Sequence, residues 1–246
     1  SMSYPTDLIP YTNYIILALV ALQVFMGYRK GLVYQVFNLL GVLAAILVSW
    51  YFSPVLAAKY KVYPEAFAPF TGTDLGSIFY TRINTLCWYA LLFVIVMLLL
   101  LLLKPLMKSL TNLPILKIVN HLTGAVFSLI PALVVWVLVA YFFGTPLIVN
   151  GQKVLDSTVL GPIHNATQNV ITLTKQPYMT ESAIQKLISN SNSLTQEDVQ
   201  TLWDWLLKED ADPEVVNQFL TEHTKDLDIP QVQRDQTQVE NNTTNE

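Results

Sequence analysis

The sequence predicts an all-α integral membrane protein, in which a four-helix bundle is followed by a small amphipathic-helical extramembrane region and a disordered tail. Three observations lead to this fold class. Charged residues make up 13% of the 246 residues and hydrophobic residues 52%, whereas a soluble domain has about 25% charged residues. Four uncharged apolar stretches are each long enough to cross a bilayer. The net charge changes from +5 over residues 1–143 to −9 over residues 144–246.

This charge split excludes a single soluble globule. It also argues against nucleic-acid binding, because no basic face is available to replace the counterions of a phosphate backbone. The predicted domains are a four-span transmembrane domain at residues 1–145, an extracytoplasmic helical region at residues 146–229 and a disordered tail at residues 230–246. The single cysteine, Cys87, excludes a disulfide framework within one chain.

The four spans follow from length and hydropathy. A helix needs about 20 apolar residues to cross roughly 30 Å of hydrocarbon. The stretches that meet this requirement are residues 8–28, 32–52, 86–103 and 122–143. The first stretch is interpreted as a retained span rather than a cleaved signal peptide, because no basic residue precedes it and no small-residue cleavage site ends it.

The basic residues of the short loops predict the topology. Arg29 and Lys30 lie between the first two spans, and Lys104, Lys108 and Lys117 lie between the last two. Short cytoplasmic loops carry an excess of Lys and Arg, so we expect both loops to be cytoplasmic. Both termini and the acidic second half are then extracytoplasmic.

The loop between the second and third spans, residues 53–85, is rich in proline and aromatic residues. Two interpretations remain open for a long loop of this composition. It is either a segment that lies on the bilayer interface, which we favour, or a re-entrant pore element.

The polar second half is expected to fold only in part. Residues 144–177 are predicted to be irregular, because proline and glycine recur there, and helical spacing begins at Thr180. Thr195 is expected to cap one helix, with Asp198 in capping-box position, and Asp212 is expected to cap the next one. The predicted apolar faces comprise Ala183, Leu187, Ile188, Val199, Leu202, Trp203, Leu206, Val215, Val216, Phe219 and Leu220.

The spans carry no ionisable residue other than the buried thiol and tyrosines, so they offer no carboxylate dyad, proton relay or histidine–carboxylate motif. We therefore expect no enzyme activity, no catalytic residue, no cofactor and no metal. The alternating acids Asp210, Asp212 and Glu214 are interpreted as a charge cluster at a helix start rather than a calcium site, because the glycine and terminal glutamate of a calcium loop are missing.

Helix packing is the chemistry that the spans do offer. Small residues recur every four positions in the second and fourth spans, and this spacing lets two helix backbones approach closely in lipid. The two stripes are Gly41, Ala45 and Ser49, and Gly124, Ser128 and Ala132.

Two segments of the sequence form a recognisable combination: the turn from Gly27 to Gly31 with the start of the second span, and the segment that leads from Pro114 into the last span. This combination resembles the colicin V production protein family, in the Gram-positive type that carries a C-terminal extension. The resemblance covers roughly residues 8–145. The candidate motif and structural residues are Gly27, Arg29, Lys30, Gly31, Gln35, Asn38, Gly41, Ala45, Asn120, Gly124 and Ser128.

The resemblance implies a multi-pass protein of the bacterial inner membrane that is linked to toxin (bacteriocin) production or export, without established enzymatic activity. Two hypotheses follow. The first is an accessory or scaffold protein whose partners are the lipid bilayer and either a second copy or an envelope protein, with no nucleic acid and no known small-molecule ligand. The second is a transporter or channel subunit with an uncharged polar lining of Gln23, Gln35, Asn38 and Asn120.

The topology gives a first prediction. A cysteine introduced as Ser191→Cys in a Cys87→Ala background should react with a membrane-impermeant maleimide in intact protoplasts, because residue 191 is expected outside the cell. Labelling that requires lysis would invert the topology.

Overall fold

The computed structural model describes residues 2–109, 117–170, 172–225 and 227–230, with the backbone alone at residues 107–109, 117–121, 170 and 172–176. These residues contain no β-strand beyond an isolated bridge between Met2 and Ile148, so the predicted all-α fold is confirmed. The helices are α1 (Ile9–Lys30), α2 (Leu32–Lys59), α3 (Gly76–Leu103), α4 (Lys117–Phe127), α5 (Leu129–Phe143), α6 (Gly151–Ser157), α7 (Leu160–Val170), α8 (Thr172–Ser189), α9 (Gln196–Lys208) and α10 (Pro213–His223).

Four segments are long and apolar enough to cross a membrane, in agreement with the four predicted spans. They are Thr6–Lys30, Leu32–Lys59, Gly76–Leu106 and Leu122–Phe143. The chain reverses direction between successive spans. One end of the bundle, called the basic end below, therefore carries Arg29, Lys30 and Lys104, and the other end carries the N-terminal segment and the polar second half.

The first reversal takes a single residue. Gly31 ends α1 with φ 85° and ψ 176°, and its N–H donates to the Gly27 carbonyl over 2.9 Å. A positive φ of this kind is readily adopted by glycine and is costly for a residue with a side chain. The turn therefore needs glycine at this position, and α2 begins at the next residue.

The last span is broken into α4 and α5 at Ser128. Pro131 has no N–H to donate to the Phe127 carbonyl, and its ring crowds the preceding turn. The backbone bonds on either side are kept, since Ser128 N–H donates to Gly124 and Ala132 N–H donates to Ser128. The span therefore continues through Ser128, where the helix is interrupted for a single residue.

The two small-residue stripes pack against different partners. Gly41, Ala45 and Ser49 are buried in α2, whose most extensive contact is with α3. A Cβ atom added at Gly41 would lie 2.9 Å from Cδ1 of Leu100 in α3. The flexible side chain of Leu100 therefore covers this face of α2 at Gly41.

The second stripe meets α1 backbone to backbone. A Cβ atom added at Gly124 would lie 2.5 Å from the Gly27 carbonyl oxygen and 2.7 Å from Cα of Gly31. In the other direction, a Cβ atom added at Gly27 would lie 2.5 Å from Cβ of Ser128. Real Cβ atoms do not make such contacts, so α1 and α4 cross at a distance that only glycine permits.

The expectation of irregular structure over residues 144–177 is wrong, because α6, α7 and the first part of α8 lie there. Pro162 falls in the first turn of α7, where the backbone N–H groups have no helical partner to lose. Pro177 lies inside α8. Proline density therefore did not mark a loop in this region.

The predicted helix starts further along are confirmed. Thr195 and Asp198 form a capping box at α9, and the Asp212 side chain accepts from Glu214 N–H at the start of α10. The predicted tail, residues 231–246, lies outside the described residues.

The apolar faces of α8, α9 and α10 share one core with residues from before the predicted boundary at 145. Leu75 and Phe79, at the start of α3, are buried in this core, and the Phe70 ring packs against Phe219 at 5.0 Å. Part of the second loop thus belongs to the polar helical region. The core residues on α8 to α10 include Ala183, Ile184, Leu187, Val199, Leu202, Trp203, Trp205, Leu206, Val216, Phe219 and Leu220.

The two stripes give a matched pair of substitutions. Gly124→Ala should destabilise the protein by about 1–3 kcal/mol, because the new methyl group meets backbone that cannot rotate away. Gly41→Ala should change stability by less than about 0.5 kcal/mol, because the Leu100 side chain can move and alanine favours the helix. Thermal unfolding of both variants in mild detergent measures the difference. Equal thermal unfolding midpoints for the Gly124→Ala and Gly41→Ala variants would contradict the close crossing of α1 and α4.

Candidate functional site: a polar cavity and the junction above it

A cavity of ≈ 210 Å³ lies within the membrane bundle, between α1, α2, α3 and the broken last span. It is partly open to its surroundings. At the basic end the cavity reaches Lys104. Further inside it reaches Met97, which lies seven residues before Lys104 on α3, and Gln23 of α1. Seven residues correspond to roughly 10 Å of helix. The lining residues are Gln23, Met26, Tyr34, Gln35, Asn38, Val42, Met97, Lys104, Ser128, Pro131 and Val135.

Three amide side chains line this cavity: Gln23 from α1, and Gln35 and Asn38 from α2. Gln35 is 4% exposed. The Gln23 Oε1 atom is buried without a hydrogen-bond partner among the described residues. An unpaired buried acceptor costs roughly 1–3 kcal/mol. The cavity therefore suits an occupant, water included, that brings polar groups of its own.

Two lysines surround the Tyr34 ring at the basic end. The Lys30 ammonium lies 4.6 Å from the ring centroid and donates to the Tyr34 hydroxyl over 3.2 Å. The Lys104 ammonium lies 5.1 Å from the same centroid. Tyr34 is buried, and the chain has no acidic residue between Asp7 and Glu65 or between Asp74 and Asp156. Among the described residues, both lysines therefore contact the aromatic ring and neither forms an ion pair with a carboxylate.

The structure brings together several of the residues that the sequence singled out. Gly27, Gly31, Gly124 and Ser128 meet at the crossing of α1 and α4, and Ser128 also lines the cavity. The expected polar lining of Gln23, Gln35 and Asn38 shares the same cavity.

The remaining predicted residues lie away from the cavity or have side chains outside the described residues. Gly41 packs against Leu100 of α3, Ala45 is fully buried in α2, and neither residue lines the cavity. Arg29 is exposed, with its guanidinium 5.9 Å from the Phe25 ring. The side chain of Asn120 lies outside the described residues.

Sequence reasoning missed Tyr34 and Lys104 as cavity residues. The sequence predicted Lys104 only as a residue of the basic loop. Because Lys104 directly follows the leucine run that ends α3, it remains next to the bundle. Tyr34 lies one helical turn before Asn38, on the same face of α2. This spacing was the signal that could have identified it.

A second polar centre joins the membrane bundle to the polar helices. Half-buried Arg82 of α3 forms an ion pair with Glu181 of α8, in which Nε donates to Oε1 over 2.7 Å and Nη2 donates to the same oxygen. Glu181 is 1% exposed, and its Oε2 has no hydrogen-bond partner among the described residues. Burial raises the pKa of Glu181, and the Arg82 guanidinium opposes that rise. Loss of Arg82 would leave the buried Glu181 carboxylate without its cation, and in a fully buried pair such a loss typically costs about 3–5 kcal/mol.

Gln185, one turn further along α8, binds the end of the last span. Its Nε2 atom lies 2.8 Å from the Phe143 carbonyl, 2.9 Å from that of Thr145 and 2.7 Å from that of Ile148. The last carbonyls of a helix have no helical donor. A single buried amide thus supplies donors to the end of α5 and to the turn that follows.

His164 of α7 packs at the same junction. It is 6% exposed, its Nε2 lies against Gly144, and its ring meets that of Tyr178 at 4.9 Å. Burial lowers the pKa of His164 below its usual value of 6.5.

This burial predicts a pH dependence. Because the unfolded chain binds a proton at His164 more tightly than the folded chain does, stability is fully present above pH 6.5 and falls as the pH drops through 6.5 toward the lowered pKa. Thermal unfolding followed by tryptophan fluorescence between pH 8 and 5 should show this fall. The variant His164→Gln should show a smaller fall, and parallel curves for the two proteins would rule out His164 as the origin.

The model of one protein family, described as Colicin V production protein, matches residues 12–168. This match covers more than half of the chain and includes most of the first span, the other three spans, α6 and most of α7. No characterised protein and no solved structure gives a significant match. The chain therefore belongs to the colicin V production protein family, as a multi-pass membrane protein whose helices α8 to α10 follow the family region.

Proposed function

We propose that this protein is a non-enzymatic accessory protein of the bacterial inner membrane, which supports toxin (bacteriocin) production or export by presenting its polar helices to an envelope partner. The membership of the colicin V production protein family supports the link to toxin production. Among the described residues, no group of three or more histidine, cysteine or acidic side chains is placed to hold a metal ion. The proposed activity is therefore one of contacts.

The observation that carries this proposal is the attachment of the polar helices to the membrane bundle. The Arg82–Glu181 ion pair and the Gln185 bonds to Phe143, Thr145 and Ile148 fix α8 to α3 and to the end of α5. A region fixed in this way has a defined position above the bilayer. A docking platform with a fixed position loses little conformational entropy when a partner binds.

The chemistry of the exposed faces of α9 and α10 suggests the kind of partner. Asp204 and Glu222 are exposed on these helices, Glu209 is exposed directly after the end of α9, and residues 144–246 carry a net charge of −9. Complementary charge guides association and selects partners. A basic surface on an envelope protein is the proposed counterpart.

The test is bacteriocin export in a producing strain that lacks its own copy of the gene. The double reversal Asp204→Lys with Glu222→Lys should reduce toxin in the medium while the amount of folded protein in the membrane stays normal. The control is Asp156→Lys, an exposed acid on α6, which should keep export near the wild-type level. Normal export in the deletion strain would contradict the proposed role.

A second candidate function is that of a transporter or channel subunit, and the shared cavity of Gln23, Gln35 and Asn38 favours it. Proteoliposomes that contain the purified protein should then show flux, and Gln35→Leu should reduce it. Absence of flux together with impaired export in the double-reversal strain would support the accessory role.

A further inference from the structure

We propose that the cavity in the membrane bundle binds a phosphate ester, with the anionic phosphate at Lys30, Lys104 and Tyr34 and the hydroxyl groups of the ester at the amides of Gln23 and Asn38. A phosphatidylglycerol headgroup and a soluble glycerol phosphate share this chemistry. The site is separate from the acidic faces of α9 and α10 that the proposed function uses.

The first argument is uncompensated charge. Lys30 and Lys104 approach the same buried ring, at 4.6 and 5.1 Å, and the sequence has no acidic residue between Asp7 and Glu65 or between Asp74 and Asp156. Lys30 is exposed and Lys104 is half-buried, and two like charges that approach one ring repel each other. A bound phosphate would remove this repulsion and accept hydrogen bonds from both ammonium groups. Basic pockets between membrane helices bind anionic headgroups in this way.

The second argument is the polarity further inside. Gln23 Oε1 is buried without a partner among the described residues, and Asn38 lines the same space. An amide offers both a donor and an acceptor, so these groups match hydroxyls, which also do both. A phosphate alone, which only accepts hydrogen bonds at full ionisation, would leave the Gln23 oxygen unpaired.

The third argument is size. The cavity measures ≈ 210 Å³, which is below the roughly 300–1,000 Å³ of sites for drug-sized ligands. It extends over about two helical turns from the basic end, where headgroups lie. A small polar headgroup fits this volume and depth, whereas a peptide or a large solute does not.

The experiment is native mass spectrometry of the full chain in detergent micelles, titrated in separate arms with phosphatidylglycerol, with phosphatidylcholine of the same acyl chains, and with glycerol phosphate. The wild-type protein should retain phosphatidylglycerol or glycerol phosphate at least fivefold more than phosphatidylcholine. Lys104→Gln should lower that retention about fivefold, since one basic side chain near a lipid surface contributes on this order, and Lys104→Arg should keep most of it.

Lys153→Gln serves as the control, because Lys153 is exposed on α6 at the opposite end of the bundle. Asn38→Leu should weaken binding without a change of charge, and circular dichroism verifies that each variant is folded. Binding in the phosphatidylglycerol arm alone assigns the site to lipid, and binding in the glycerol phosphate arm assigns it to a soluble ester. Equal retention in all three arms, or equal losses for Lys104→Gln and Lys153→Gln, would overturn the proposal.

Discussion

The close approach of α1 and α4 at Gly27 and Gly124 is the contact on which the arrangement of the membrane bundle depends. Apolar side chains gain nothing from leaving water inside a bilayer, so spans associate through van der Waals packing and polar contacts. A Cβ atom at either glycine would lie about 2.5 Å from the opposite helix. The crossing therefore sets the distance between the first and last spans, and with it the position of Ser128 beside the cavity.

The same end of the bundle gathers three amide side chains and a lysine in one cavity, together with apolar residues such as Val42 and Met97. Polar side chains in a membrane interior are costly unless they find partners. Because these polar side chains are collected in one cavity, we infer that the cavity binds a ligand. The two lysines around Tyr34 favour an anionic one.

At the opposite end, buried polar contacts join two parts of different character. The ion pair between Arg82 and Glu181 connects residues 99 positions apart in sequence. The two N–H donors of the Gln185 amide are shared among three carbonyls at the end of the last span and in the turn that follows it. Such contacts are specific in direction and distance, which apolar packing is not. They fix the polar helices on the bundle, while the shared core of Leu75, Phe79 and the α8–α10 faces supplies the apolar burial.

The sequence by itself determined the features that depend on neighbouring residues. Span length follows from runs of apolar residues, the tight turn from Gly31, and the starts of α9 and α10 from Thr195 and Asp212, whose side chains bond backbone within three positions. Local composition was misleading over residues 144–177, where prolines are compatible with helices. Only the tertiary structure decided that Gly124 meets Gly27 rather than Gly41, that Lys104 reaches Tyr34, and that Arg82 pairs with Glu181. A small-residue stripe or a lone charge has many possible partners, and the choice among them depends on packing and desolvation summed over the whole bundle, which no local pattern encodes.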